Sequence, residues 1–131
     1  MNRSAEYAQL LLQKARDDAY VLTRLSEDPE SPAWTLGFHA QQAVEKAIKA
    51  VLSSRGAEIP HTHDLVWLLE MLSETGLDLP SDAVDFPRLI PYGAALRYDE
   101  TAEPAGSEIP DRQWLLSCVN RTLDWAEKNL R

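Results

Sequence analysis

Apolar residues in the first part of the chain return at steps of three and four. Ala8, Leu11, Leu12, Ala15, Ala19 and Leu22 therefore share one face, which predicts a helix over 4–26 with Ser4 as its N-cap. Lys14, Arg16, Asp17 and Arg24 fall largely off that face and read as solvated surface. Asp28-Pro29 and Ser31-Pro32 disfavour helix at the residue before each proline, so 26–31 is a break. Ser31 then offers a cap and Pro32 a first helical position for a second helix over 33–55, which Gly56 closes. Its apolar stripe is Leu36, Ala40, Ala43, Val44, Ala47 and Val51, and the alanines let a neighbouring helix come close.

A third helix is expected from His63 to Thr75, with Leu65, Leu68, Leu69 and Leu72 inward. Thr62 or His63 lies near its cap, Asp64 in its first turn complements the dipole, and Gly76 ends it. Leu77 to Pro87 reads as a connector, and a fourth helix from Phe86 to Tyr98 uses Phe86, Leu89, Ile90, Gly93 and Leu96, with Pro91 bending it or marking its start. Residues 99–110, acidic with Pro104, Gly106 and Pro110, read as a mobile loop. A last helix over 111–130 buries Leu115, Cys118, Val119, Thr122, Trp125 and Ala126. No strand alternation stands out. The pattern predicts an all-α, up-and-down antiparallel bundle of four long helices and a short fifth, forming a single domain over 1–131.

Composition narrows the functions. With 131 residues, 44% of them hydrophobic and 26% charged, the chain suits one soluble domain with a real core. A net charge of -8 opposes broad attraction to nucleic acid, which depends on Lys and Arg displacing counterions from phosphate. DNA is therefore not an expected partner, and a nucleotide would need a local basic pocket. No apolar run approaches the ~20 residues that cross a bilayer, so a membrane is not expected either. The single cysteine, Cys118, forms no internal disulfide, and the start lacks a leader pattern, which makes the cytoplasm the expected compartment.

Candidate chemistry gathers on the second helix. His39, Gln42, Lys46 and Lys49 fall at i, i+3, i+7 and i+10, a polar face able to line a phosphate pocket but, on spacing alone, more readily a solvated face with local pairs such as Glu45 with Lys49. His61 and His63 have a spacing that binds metal in some settings, but no cysteine is near and a zinc site needs three or four ligands. No metal and no cofactor is expected. His63 reads instead as a helix-start residue whose ring hydrogen-bonds within the bundle. Arg97, in Arg97-Tyr98-Asp99, can clamp a phosphate or pair with Asp99 or Glu100. Cys118 reads as a buried structural thiol. Trp34, Trp67, Trp114 and Trp125 read as core or interface anchors, any exposed one marking a partner surface.

Taken together, Phe38-His39-Ala40-Gln41-Gln42-Ala43-Val44-Glu45-Lys46-Ala47-Ile48-Lys49-Ala50, Thr62-His63-Asp64-Leu65 and Leu96-Arg97-Tyr98-Asp99 give a chain that resembles a HEPN-domain protein over almost its whole length, of the type associated with minimal nucleotidyltransferases. The resemblance implies a helical bundle that pairs into a homodimer, a minimal nucleotidyltransferase or a nucleotide as partner, and in some members a toxin–antitoxin setting. It also implies a nucleotide-binding lining of Gln42, Lys46, Lys49, His63 and Arg97. Catalytic HEPN ribonucleases carry an arginine followed after four to six residues by a histidine. Here the window after Arg97 holds Ala102, Glu103 and Pro104, and no histidine follows His63. The literal match from Arg55 to His61 spans the turn between the second and third helices, the wrong place for that motif. The expected catalytic set is therefore empty, and the expected function is a noncatalytic binding subunit. The alternatives are a ribonuclease with a non-standard site, using Arg97 with His39 or His63, and a purely structural dimer.

Overall fold

The computed structural model describes residues 3–93 and 111–130. Helix α1 spans Arg3–Ser26, α2 Ala33–Ser54, α3 Leu65–Glu74 and α4 Arg112–Asn129, with a 3₁₀ helix over Ala83–Tyr92 between α3 and α4. Among the described residues every regular element is helical, as the periodicity requires.

Side-chain contacts fix the directions. Ser53 Oγ donates to the carbonyl of Ser4, while Asp18 meets His39 and Lys46, so α1 and α2 run antiparallel. Arg16 reaches Glu127 at one end of α4 and Arg112 reaches the carbonyl of Ser26 at the other, so α4 is antiparallel to α1. Alanines line the main helix pair: Ala8, Ala15 and Ala19 on α1 and Ala40, Ala43 and Ala47 on α2 are all buried. Around them Leu22, Leu36, Ile48, Leu52, Leu65, Leu68, Phe86, Leu89 and Leu115 close a single core. Fully burying a side chain of this size contributes roughly 1.5–3 kcal/mol.

The turns obey local chemistry. After α2, Gly56 takes φ 82°, its N–H donates to Ser53 and that of Ala57 to Leu52, a Schellman ending that only a residue tolerating positive φ completes cheaply. Asp64 caps α3, its carboxylate accepting from the backbone N–H of Val66 (3.0 Å) and Trp67 (3.3 Å). The cap is thus Asp64 rather than Thr62 or His63, because its short acceptor reaches two orphan donors.

Three other expectations are corrected. Ser31 does not cap α2: Pro32 holds the N-cap position in extended conformation, without a side-chain hydrogen bond, and its carbonyl accepts from Thr35 and Leu36. Ser4 lies inside α1, which already runs from Arg3. The expected fourth helix starts earlier and is 3₁₀ over its described part, since Pro87 and Pro91 supply no N–H for an α-helical ladder. Among the described residues the bundle therefore has three long α-helices, a short α3 and the 3₁₀ helix. Its expected continuation to Tyr98, and the loop over 99–110, lie outside the described residues.

Gly37 sets how the 3₁₀ helix docks. A Cβ there would stand 2.5 Å from the Tyr92 ring, so the bare backbone lets that ring lie directly on α2. Burial also raises the Tyr92 pKa above the ordinary phenol value. Gly93 follows with its backbone beside the Gln41 side chain.

Candidate functional site

Two carboxylates organise the polar face of α2. Asp18, on α1, accepts from Lys46 Nζ at 2.6 Å through one oxygen and lies 3.0 Å from His39 Nδ1 through the other. Glu45, on α2 itself, accepts from Lys49 Nζ at 3.0 Å through one oxygen. Its other oxygen accepts from Gln41 Nε2 at 3.0 Å and lies 2.8 Å from His63 Nδ1. Gln42 completes the chain by donating to Gln41 Oε1 at 2.7 Å. Because an ionised carboxylate only accepts, each histidine carries a proton on Nδ1.

The two nodes lie at different depths. The Glu45 side chain is 3% exposed, and its partners are Lys49 at 13% and His63 at 52%. Asp18 is 12% exposed, Lys46 24% and His39 22%. A carboxylate as buried as Glu45 is stable only when paired and hydrogen-bonded, and three donors provide that. The charges balance, two lysines against two carboxylates, so the face presents oriented donors and imidazoles rather than a basic patch.

At its N-terminal end the same helix carries aromatic rings. Trp34 stacks on Phe38 with centroids 5.6 Å apart and an angle of 9° between planes, and Phe38 meets the His39 ring edge-on at 5.3 Å. Trp34 is 38% exposed.

Of the residues expected to line a nucleotide pocket, Lys46 joins the Asp18 node, and Gln42, Lys49 and His63 join the Glu45 node. Arg97 lies outside the described residues, as do Ala102, Glu103 and Pro104. His39 and His63 therefore belong to separate nodes, though each is held the same way. Sequence reasoning named Glu45 only as the local partner of Lys49, a pair that is present, and missed Asp18 and Gln41. A signal existed. Leu11, Ala15, Asp18 and Leu22 keep one helical spacing, as do Gln41, Glu45, Ile48 and Leu52, so both acids stand in inward-facing rows.

The other candidates separate from this face. His61 lines a shallow groove of about 420 Å³ with Arg3, Ser4 and Tyr7, and among the described residues no cluster of His, Cys, Asp and Glu could hold a metal ion. Arg55 caps α2 and donates to the carbonyl of Asn129 at 3.0 Å, remote in role from His61. Cys118 is fully buried, and burial with the nearby Asp82 charge pushes its thiol up to about 12, which removes it as a nucleophile. Trp125 is half-buried and donates from Nε1 to the Asp78 carbonyl, while Arg88 lies 4.3 Å over the Trp114 ring. Trp67 is exposed. No described helix is long and apolar enough to cross a membrane.

The family model of the HEPN domain matches residues 8–129. No curated protein and no solved structure matches the chain.

Proposed function

Starting from the chain's membership of the HEPN-domain family, we propose that it is a noncatalytic binding subunit, acting as a homodimer that engages a minimal nucleotidyltransferase, a nucleotide or both, in a two-component system of the toxin–antitoxin kind. The observation that carries this reading is the pre-ordered polar face of α2: Lys46, Lys49, His39 and His63 are each held by an internal carboxylate, at Asp18 or Glu45, before any ligand arrives. Such ordering lowers the entropy a ligand must overcome on binding. The sequence supports the noncatalytic part, since the acid/base histidine of the ribonuclease motif is missing after Arg97. Arg97 joins the proposed lining with Gln42, Lys46, Lys49 and His63 on the strength of the family resemblance.

Calorimetric titration of the purified dimer with nucleoside triphosphates tests the ligand half, and co-purification with a nucleotidyltransferase encoded beside it tests the partner half. Saturable heat with at least one nucleotide, or a stable complex, is the expected result. Neither heat nor complex would leave only a structural dimer.

One observation favours a second reading. Glu45 holds Nδ1 of a half-exposed His63, the arrangement by which a carboxylate orients an imidazole for proton transfer. A ribonuclease using His63 predicts metal-independent RNA cleavage by wild-type protein that His63→Ala abolishes. Intact RNA after prolonged incubation with wild-type protein disposes of it.

A further inference from the structure

Helix α3 is more apolar than its buried side requires. Seven of its ten residues are apolar, yet only Leu65, Leu68 and Leu72 are fully buried, with Leu69 and Met71 partly covered by the core. Val66 and Trp67 are 43% and 46% exposed on the outer side. A helix that is apolar nearly all round is normally covered all round, so this side is incomplete as a solvent face. Trp67 also differs from the other tryptophans. Trp34 stacks on Phe38, Trp114 lies under Arg88 and Trp125 donates to a carbonyl, whereas the Trp67 ring has no ring contact and its indole N–H no acceptor among the described residues.

Charge decides what covers it. Trp67, Glu70, Met71 and Glu74 fall at i, i+3, i+4 and i+7, and Val66 lies one turn before Glu70, so one side of α3 joins an apolar patch to two acids. Both acids are exposed, and neither forms an ion pair among the described residues. From Gly56 to Pro87 the chain holds seven Asp and Glu and no Lys or Arg. Of those seven, Asp82 alone meets a cation, Arg121 of α4, among the described residues. The outer side of α3 therefore lacks positive charge and asks for it.

We propose that this side of α3 docks a short amphipathic helix of a partner protein, its apolar side covering Val66 and Trp67 and its Lys or Arg side chains meeting Glu70 and Glu74. A phosphate-rich partner is repelled by the same acids. A second copy of this chain fits poorly, because an isologous contact brings the acids of two α3 helices together with no cation between them. Size favours a single helix as well. At 1.5 Å per residue α3 is about 15 Å long, too short for the ~800 Å² per partner of a standard interface and matched by about three turns of another helix. Trp67 is the anchor, since an exposed indole that becomes buried carries a large share of the binding energy. The inference needs neither a nucleotide nor the polar face of α2, and adds a separate contact surface to the molecule.

The test uses two fluorescently labelled peptides of about 18 residues, long enough to form a helix. One is built of leucine and lysine with its leucines on one side, the other of leucine and glutamate in the same pattern. Anisotropy follows their binding to wild type, to Trp67→Ala, to Glu70→Lys/Glu74→Lys and to Glu6→Lys/Asp17→Lys, whose two changed acids are exposed on α1, a helix that does not touch α3. All the changed side chains are exposed, and thermal melting establishes that each variant is folded. Wild type should bind the lysine peptide and not the glutamate peptide. Trp67→Ala and Glu70→Lys/Glu74→Lys should each weaken binding by roughly tenfold or more, and the α1 variant by less than about twofold. No binding of the lysine peptide to wild type, or unchanged affinity in Trp67→Ala, overturns the proposal. Equal weakening by the α1 variant reduces the effect to the general charge of the chain and also overturns it. Equal binding of the two peptides overturns the assigned partner chemistry. A smaller oligomer for Trp67→Ala than for wild type in sedimentation overturns the proposal in favour of a second copy.

Discussion

The Asp18 and Glu45 nodes share a design and differ in depth. Each carboxylate gives one oxygen to a lysine and the other to Nδ1 of a histidine. Asp18 joins α1 to α2 and keeps some contact with water, whereas Glu45 ties α2 to the residue before the α3 cap and is 3% exposed. The exposure of the histidines is reversed: the shallower acid holds a sheltered ring, and the deeper one holds a ring in water. Depth therefore separates two jobs. The Glu45 node is a structural joint that presents one imidazole, and the Asp18 node is a positioning device at the edge of the face.

That contrast is easiest to break at Glu45. Glu45→Ala strands Lys49 without its counter-charge and removes the acceptor for Gln41 and His63. Breaking such a buried pair costs about 3–5 kcal/mol. The melting temperature should fall by about 9–15 °C, at roughly 3 °C per kcal/mol for a chain of this size. Glu45→Leu combined with Lys49→Met should restore the part of the loss due to the stranded charge, though Gln41 still lacks its acceptor. If the single variant melts like wild type, Glu45 is not the joint described.

Asp18→Ala comes next, at about 1–3 kcal/mol, because its partners are better hydrated. Its effect should shrink as salt rises from 0.05 to about 0.5 M, while that of Glu45→Ala should barely move. Equal salt dependence would erase the distinction of depth. The smallest effect belongs to His63→Ala, below about 1 kcal/mol, since a hydrogen bond from a half-exposed side chain contributes little. Chemical denaturation of the three variants in one buffer ranks them directly.

Cys118 gives an independent reading of how far each change spreads. With its folded pKa pushed up to about 12, the thiol should resist a disulfide reagent at pH 8 in wild type and react only through opening of the bundle. The folded state holds that proton more tightly than the unfolded chain. The stability it represents is complete below the unfolded pKa near 9 and is lost as pH rises from there toward 12. At pH 8, Glu45→Ala should accelerate labelling strongly and Asp18→Ala much less.

Much of this was readable from residue spacing. The α1 and α2 stripes, the glycine turns at Gly56 and Gly76 and the α4 core row all follow from period and turn chemistry. The 3₁₀ helix was not readable, because the Phe86–Leu89 step fits either helix and the missing N–H groups of Pro87 and Pro91 decide between them, which leaves Ile90, expected inward, exposed. The polar residues of α2 were found by their shared face, yet their partners were not. Asp18 lies 28 positions from Lys46, a separation no local pattern encodes. Glu45 looked like a surface helper of Lys49, and only its place in the row of Gln41, Ile48 and Leu52 signals an inward direction.

Arg112 closes the bundle in another way. Its guanidinium donates to the carbonyls of Ser26, Asp28, Pro29 and Ser31, so a single side chain clasps the whole α1–α2 turn at the first residue of α4. Gly93, at the other side of residues 94–110, lies beside Gln41. Both points where the main chain leaves and re-enters the described bundle are thus held by contacts among the described residues. The described frame is in this sense anchored at both flanks by its own helices, at the first residue of α4 and at the foot of the 3₁₀ helix.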